Sequence, residues 1–161
     1  MTRILLLCVG KAKAGPERDL AQRYIERAAA AGRMLGLSCV ELREAEESRA
    51  ARPDSRKREE AQALRGLLPD RCKVIAFDEA GREMKSRDFA AMLGRARDEG
   101  AVAIALVIGG PDGLDRAILE SASLTLSLGA MTWPHQLARI MAAEQIYRAV
   151  TILSGHPYHR G

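Results

Sequence analysis

Three nearly unbroken apolar runs set the frame for this chain: "RILLLCV" (residues 3–9), "KVIAFD" (residues 73–78) and "AVAIALVIGG" (residues 101–110). A strand with one wet face alternates apolar and polar residues, whereas a strand covered on both faces does not. Runs of this kind demand a sheet with something packed on each side. "LSCVELR" (37–43) and "SLTLSLGAM" (123–131) read as two further strands.

Helical patterns fill the spaces between these runs. Residues 16–35 put Leu20, Tyr24 and Ala28 on one face and Arg and Glu on the other. The charged stretch 44–58 reads as a solvated loop leading into a helix that continues to Leu68. "GREM" reads as a turn, and Ser86 as the N-cap of a helix to about Asp98. "PDGL" is another turn, and Pro134 suits the first turn of a long helix reaching Leu153 and stopping at Gly155. The alternation predicts a single α/β domain over residues 1–161, with a mostly parallel sheet and helices on both faces. Aromatic residues make up only 4%, so the core must be Leu, Ile, Val and Ala.

The formal charge of +4 mildly favours a polyanionic partner. Cys8, Cys39 and Cys72 are scattered, with no CxxC pair, which predicts reduced thiols in a cytoplasmic setting and no metal site. The opening "MTRILLLCVGK" is too short in its apolar part for a signal peptide, and no stretch is long enough to span a membrane.

Ligands of open α/β sheets bind beyond the carboxyl ends of the strands. Three such ends stand out: Phe77-Asp78, "IGGPDG" (108–113) and "SLGAMTWPH" (127–135). The second is neither a dinucleotide fingerprint nor a phosphate-binding loop, and Asp112 would repel a phosphate. That points to S-adenosylmethionine as an adenosine ligand without phosphates. No nucleophile elbow is present, which counts against a hydrolase. His135 and Arg139 share a helix face, and that spacing suggests a solvent-facing pair. Glu144 interrupts the apolar stripe of Leu137, Ile140, Met141 and Val150, and is spaced to pair with Arg148. The final "GHPYHRG" holds two of the three histidines. After a helix stop and the rigid Pro157, its Tyr158, His159 and Arg160 read as a placed site: a stacking ring, a base near neutral pH and a phosphate clamp.

"LVIGGPDGL", "LSLGAMTWPHQLARIMAAEQIYRA" and "GHPYHRG" closely resemble the RlmH family of 23S rRNA pseudouridine N3-methyltransferases, minimal members of the SPOUT superfamily. The opening "LLCVGK" and the mid-chain "FDEAGREMKSRDFA" extend the resemblance over the whole length. It implies an α/β fold with a C-terminal trefoil knot, a homodimer, and methyl transfer from S-adenosylmethionine to 23S rRNA, on the assembled ribosome. It implies cofactor contacts at Phe77, Gly109, Gly110, Gly129, Ala130, Met131, Thr132, Trp133 and Pro134. It implies a catalytic tail of Tyr158, His159 and Arg160, with Arg139, Arg148 and Arg160 toward RNA. Two departures stand out: Lys85, Ser86 and Arg87 replace "SSE", and Phe77 replaces a leucine common among relatives. A ribosome-binding factor without catalysis is the rival from another class, and the complete tail argues against it.

Overall fold

A computed structural model describes residues 1–161, the side chain of Cys39 excepted; the thiol state expected there lies outside the described residues. Five strands form one sheet: β1 (Thr2–Val9), β2 (Leu37–Ala45), β3 (Cys72–Arg82), β4 (Ala103–Ile108) and β5 (Leu124–Leu126). Their order is β2-β1-β4-β3-β5, and every neighbouring pair is parallel. The helices are α1 (Pro16–Gly32), α2 (Pro53–Leu67), α3 (Ser86–Asp98), α4 (Arg116–Ser121) and α5 (His135–Ser154).

The apolar runs are buried on both faces as expected. Ile4, Leu6 and Cys8 of β1 face a core built with α1, α3 and α5. Leu5, Leu7 and Val9 point to the opposite core, covered by Ala61 and Leu64 of α2 and Ile118 of α4. Each such leucine is fully removed from water, worth about 1.5–3 kcal/mol against its exposed state. β1 and β4 lie in the middle of the sheet, where two-sided burial is complete.

Three local expectations are corrected, and one short helix went unread. "GREM" does not turn at its glycine: β3 runs on to Arg82, which pairs with Leu126, and Ser127 N–H donates to the Arg82 carbonyl at 3.0 Å. Gly81 permits this, because a Cβ there would lie 2.5 Å from the Leu126 backbone. β5 is three residues long rather than nine, since Ser127 Oγ and Gly129 exchange hydrogen bonds in a turn and Gly129 adopts φ 114°. The short α4, capped by Asp115, carries no sequence periodicity long enough to read. Ser86 does not cap α3; Lys85 holds that place, and Ser86 Oγ donates instead to Gln145 of α5 at 2.7 Å.

The C-terminal helix stops as expected. Gly155 takes φ 73°, its N–H donates to the Ile152 carbonyl, and His156 N–H donates to that of Thr151. No helix among the described residues is long and apolar enough to cross a membrane.

Candidate active site

A cavity of ≈ 650 Å³ opens beyond the carboxyl ends of β3, β4 and β5. All three strand ends singled out in the sequence contribute to it. Phe77 lines it from β3, Gly109 and Gly110 from the turn after β4, and Gly129, Met131, Thr132, Trp133 and Pro134 from the loop before α5. Ala130 is not part of the lining.

The two glycines after β4 are not there to clear the cavity. A Cβ on Gly109 would strike the backbone of Gly113 at 2.6 Å, and one on Gly110 would press Val9 Cγ1 at 3.1 Å. They fold the "GGPDG" turn tightly onto itself, with Gly113 N–H donating to the Gly110 carbonyl at 2.9 Å. The cavity wall is therefore backbone, and its shape follows from the tightness of that turn.

The charge of the cavity differs from the sequence expectation in its source. Asp112 is held by Arg56 of α2 through two hydrogen bonds, 2.6 Å from Nε and 3.1 Å from Nη2. That hydrogen bonding, opposed by some desolvation, holds its carboxyl below the usual range. A neutralised Asp112 is a poor barrier to phosphate. Asp78 and Glu79 take over that part: both line the cavity, and neither forms an ion pair among the described residues. No Lys or Arg is among the described lining residues. Carboxylates beside apolar walls suit a cationic sulfonium with an adenine ring, and they disfavour a triphosphate. The residues present thus fit S-adenosylmethionine. Arg56 and Glu79 went unread because the first sits in a charge run that looked like solvated loop and the second continues a strand.

Next to Gly110 lies Glu60 of α2, only 3% exposed. Its Oε2 accepts from Ser48 N–H at 2.9 Å, while Oε1 has no partner among the described residues. Burial pushes its carboxyl above the usual range.

Arg139 is not a surface arginine. It is 2% exposed, Nη1 meets Glu44 Oε2 at 2.5 Å, and Nη2 donates to the Gly10 carbonyl at 2.7 Å. The solvent-facing pairing with His135 and the contact with RNA both give way to a buried strut between α5 and the ends of β1 and β2. Cys8 lies beside it, its thiol pushed up to about 12 chiefly by burial.

The tail is docked, not frayed. Tyr158 hydroxyl donates to Glu144 Oε1 at 3.1 Å, and its ring packs edge-on against Tyr147 with centroids 4.7 Å apart. Arg148 lies 4.9 Å over the same ring and donates to Glu144 Oε1 from Nε at 2.9 Å and Nη2 at 2.6 Å. Its third nitrogen, Nη1, is 3.0 Å from His159 Nδ1. The Glu144–Arg148 pair expected from spacing is present, and the tail closes over it. All three Arg148 nitrogens make contacts within the chain, while Arg160 is exposed and makes no hydrogen bond among the described residues. Arg87, one of the departures from the resembled pattern, donates from Nε to the Gly161 carbonyl at 2.7 Å.

Within one chain the structure makes two clusters rather than one. None of Tyr158, His159 or Arg160 lines the strand-end cavity. Of its lining, Met131 and Trp133 are 74% and 42% exposed, and Leu137 in the first turn of α5 is 41% exposed.

Comparison with known proteins places these features in a family. The family described as predicted SPOUT methyltransferase matches residues 2–159. A protein of Methylocella silvestris named ribosomal RNA large subunit methyltransferase H is 60% identical over 98% of this chain and 99% of its own. One of the same name from Beijerinckia indica is 56% identical over the same shares. Among solved structures, a probable methyltransferase from Bordetella pertussis Tohama I aligns at TM-score 0.50 and 19% identity, covering 92% of this chain and 95% of that one. A probable methylase family protein from Haemophilus influenzae aligns at TM-score 0.50 and 16% identity, over 99% and 70%. The solved structures share the fold, and the sequence match spans nearly the whole chain. The chain belongs to the SPOUT methyltransferase family.

Proposed function

We propose that this protein methylates N3 of a pseudouridine in 23S rRNA, with S-adenosylmethionine as donor, acting on the assembled ribosome in the cytoplasm. The observation that carries the substrate is the 60% identity, end to end, with a relative named for large-subunit ribosomal RNA methylation. The cavity supports the donor: backbone walls at Gly109 and Gly110, the apolar Phe77 and Trp133, and the carboxylates of Asp78 and Glu79.

When bound, the donor supplies an electrophilic methyl on a good leaving group. The protein's work is then mainly positional. Phe77, Gly109, Gly110 and, from the loop that also carries Ala130, Gly129, Met131, Thr132, Trp133 and Pro134 hold the donor and exclude water. Tyr158, His159 and Arg160 meet the RNA, with Arg160 on phosphate and His159 beside the base. Arg139 and Arg148 support these elements from within.

The protein acts as a homodimer in this reading. No residue of the tail lines its own chain's cavity, and the apolar Met131 and Trp133 of the cavity lining stand exposed. A two-fold partner covers them and brings its tail to the cavity. A C-terminal trefoil knot fits the close passage of β3 and the β5–α5 connection, where Gly81 leaves no room for a side chain.

Incubation with labelled S-adenosylmethionine and ribosomes lacking the modification tests the reading. Label should enter 23S rRNA at a pseudouridine and not at uridine when the pseudouridine is absent. Label confined to protein or to another RNA would overturn it.

A further inference from the structure

We infer that Arg148 is a positioning residue that holds His159 as the Nε2–H tautomer, so that His159 meets the acceptor base as a hydrogen-bond donor and not as the base that removes its proton. This rests on the reading of the tail as part of the methyl-transfer site.

The argument starts from a donor meeting a ring nitrogen. Arg148 Nη1 is 3.0 Å from His159 Nδ1. A guanidinium has only N–H groups to offer and no acceptor, so Nδ1 is the acceptor and carries no proton. The neutral ring then keeps its proton on Nε2.

Arg148 cannot turn away to relax this demand. Nε and Nη2 both donate to Glu144 Oε1, and the Tyr158 ring lies against the guanidinium. Tyr158 hydroxyl donates to the same glutamate oxygen. The side chains of Arg148 and Glu144 are 25% and 17% exposed, so solvent screens the arrangement only in part. A planar fork held at two nitrogens directs the third along a fixed line. Glu144, Arg148 and His159 therefore form a chain in which each member orients the next.

This decides what His159 can do. A second proton on the ring would have to enter at Nδ1, displacing the Arg148 hydrogen bond and setting two cations side by side. The free group is Nε2–H. During methyl transfer to N3, the N3–H bond breaks and its proton passes to solvent. The electron pair left on N3 forms the new N–CH3 bond, while the pair of the broken S–CH3 bond stays on sulfur. Before the methyl arrives, the negative charge of N3 is shared with the two flanking carbonyl oxygens. An N–H donor aimed at one of them stabilises that charge where it develops.

The full-length protein labelled with ¹⁵N at histidine tests this without RNA. At about pH 8, where an ordinary imidazole is neutral, His159 should show an unprotonated Nδ1 and a protonated Nε2. Arg148→Met should collapse the two signals toward the averaged values of a free imidazole, and Arg148→Lys, which keeps a donor, should restore part of the difference. In the methylation assay, His159→Gln keeps an N–H near the Nε2 position but no basic nitrogen. It should stay within about tenfold of wild type, while His159→Ala loses about 10²–10³-fold in kcat with KM for S-adenosylmethionine unchanged. A protonated Nδ1 in the wild type, or His159→Gln as inactive as His159→Ala while still folded and binding cofactor, would overturn the inference. Wild-type turnover by His159→Ala would instead remove the tail from the site, and the ¹⁵N signals would tell that failure from a failure of the tautomer.

Discussion

Arg139 Nη1 meets Glu44 Oε2 at 2.5 Å, joining the first turns of α5 to the end of β2. The same carboxylate oxygen accepts from Ala12 N–H at 2.6 Å, so one glutamate secures both the α5 anchor and the loop leaving β1. α5 begins directly after the loop that walls the cavity, which makes this pair a support for the strand-end cavity.

Arg139 is buried while the Glu44 side chain is 27% exposed, so losing the arginine removes its bonds to Glu44 and to the Gly10 carbonyl but leaves a carboxylate that water reaches in part. Arg139→Met should cost about 1–3 kcal/mol and lower Tm by roughly 5 °C. Changing Glu44 to leucine as well should recover part of the loss. Thermal denaturation followed by circular dichroism checks this, and a single variant as stable as wild type would contradict it.

The pair also shows where sequence reading stops. β1 and β4 were legible because two-sided burial writes itself as an apolar run, and α5 because Pro134 and Gly155 mark its ends. A buried arginine has no such mark: Arg139 sits among helix positions spaced for a surface face, and only the distant Glu44 explains it. The extension of β3 failed for a similar reason, since "GREM" carries turn chemistry that the approach of Leu126 overrides. The strand-end cavity was legible from three glycine-bearing or acidic strand ends, but the charge balance was not, because Arg56 neutralises Asp112 from 56 residues away. The tail was readable as a placed cluster. Its docking on Glu144 and Arg148, apart from its own cavity, was not.

The cavity should bind S-adenosylmethionine and its demethylated product, and ATP only poorly. Asp78→Asn together with Glu79→Gln should weaken cofactor binding and narrow the preference against ATP, as the negative charge facing a phosphate is removed. Gly110→Val should weaken binding by shifting the turn, since its side chain presses on Val9 Cγ1, and Gly109→Val should abolish it, since a Cβ there strikes the Gly113 backbone at 2.6 Å. Calorimetry decides; tight ATP binding without S-adenosylmethionine binding would contradict the account.

Deleting the residues after Pro157 should leave folding and cofactor binding nearly intact, because no core position is lost. Methyl transfer should collapse. Arg160→Ala should weaken engagement of the RNA and reduce the slope of log affinity against log salt by about one phosphate contact. Full activity in the truncated protein would contradict a catalytic tail.

Tyr158 offers a pH test of docking. Burial first, then the Glu144 carboxylate, pushes its phenol from 10.0 to about 12. Its folded value is raised, so its contribution to docking is complete below about pH 10 and is lost as pH rises toward 12. Ultraviolet difference titration of wild type against Tyr158→Phe should show one tyrosine ionising late. In Glu144→Gln that tyrosine should ionise earlier, because the negative charge beside it is gone. A wild type whose titration shows no late tyrosine relative to Tyr158→Phe would mean an undocked tail.

The most direct test is methyl transfer itself, read at one base. Ribosomes from a strain lacking the modification, incubated with the protein and labelled S-adenosylmethionine, should yield 23S rRNA in which mass spectrometry of nuclease fragments finds one added methyl on a pseudouridine, at N3. The same ribosomes with uridine in place of that pseudouridine should take up no label. Methylation of the uridine at an equal rate, or no transfer to 23S rRNA by a protein shown to bind the cofactor, would contradict the account.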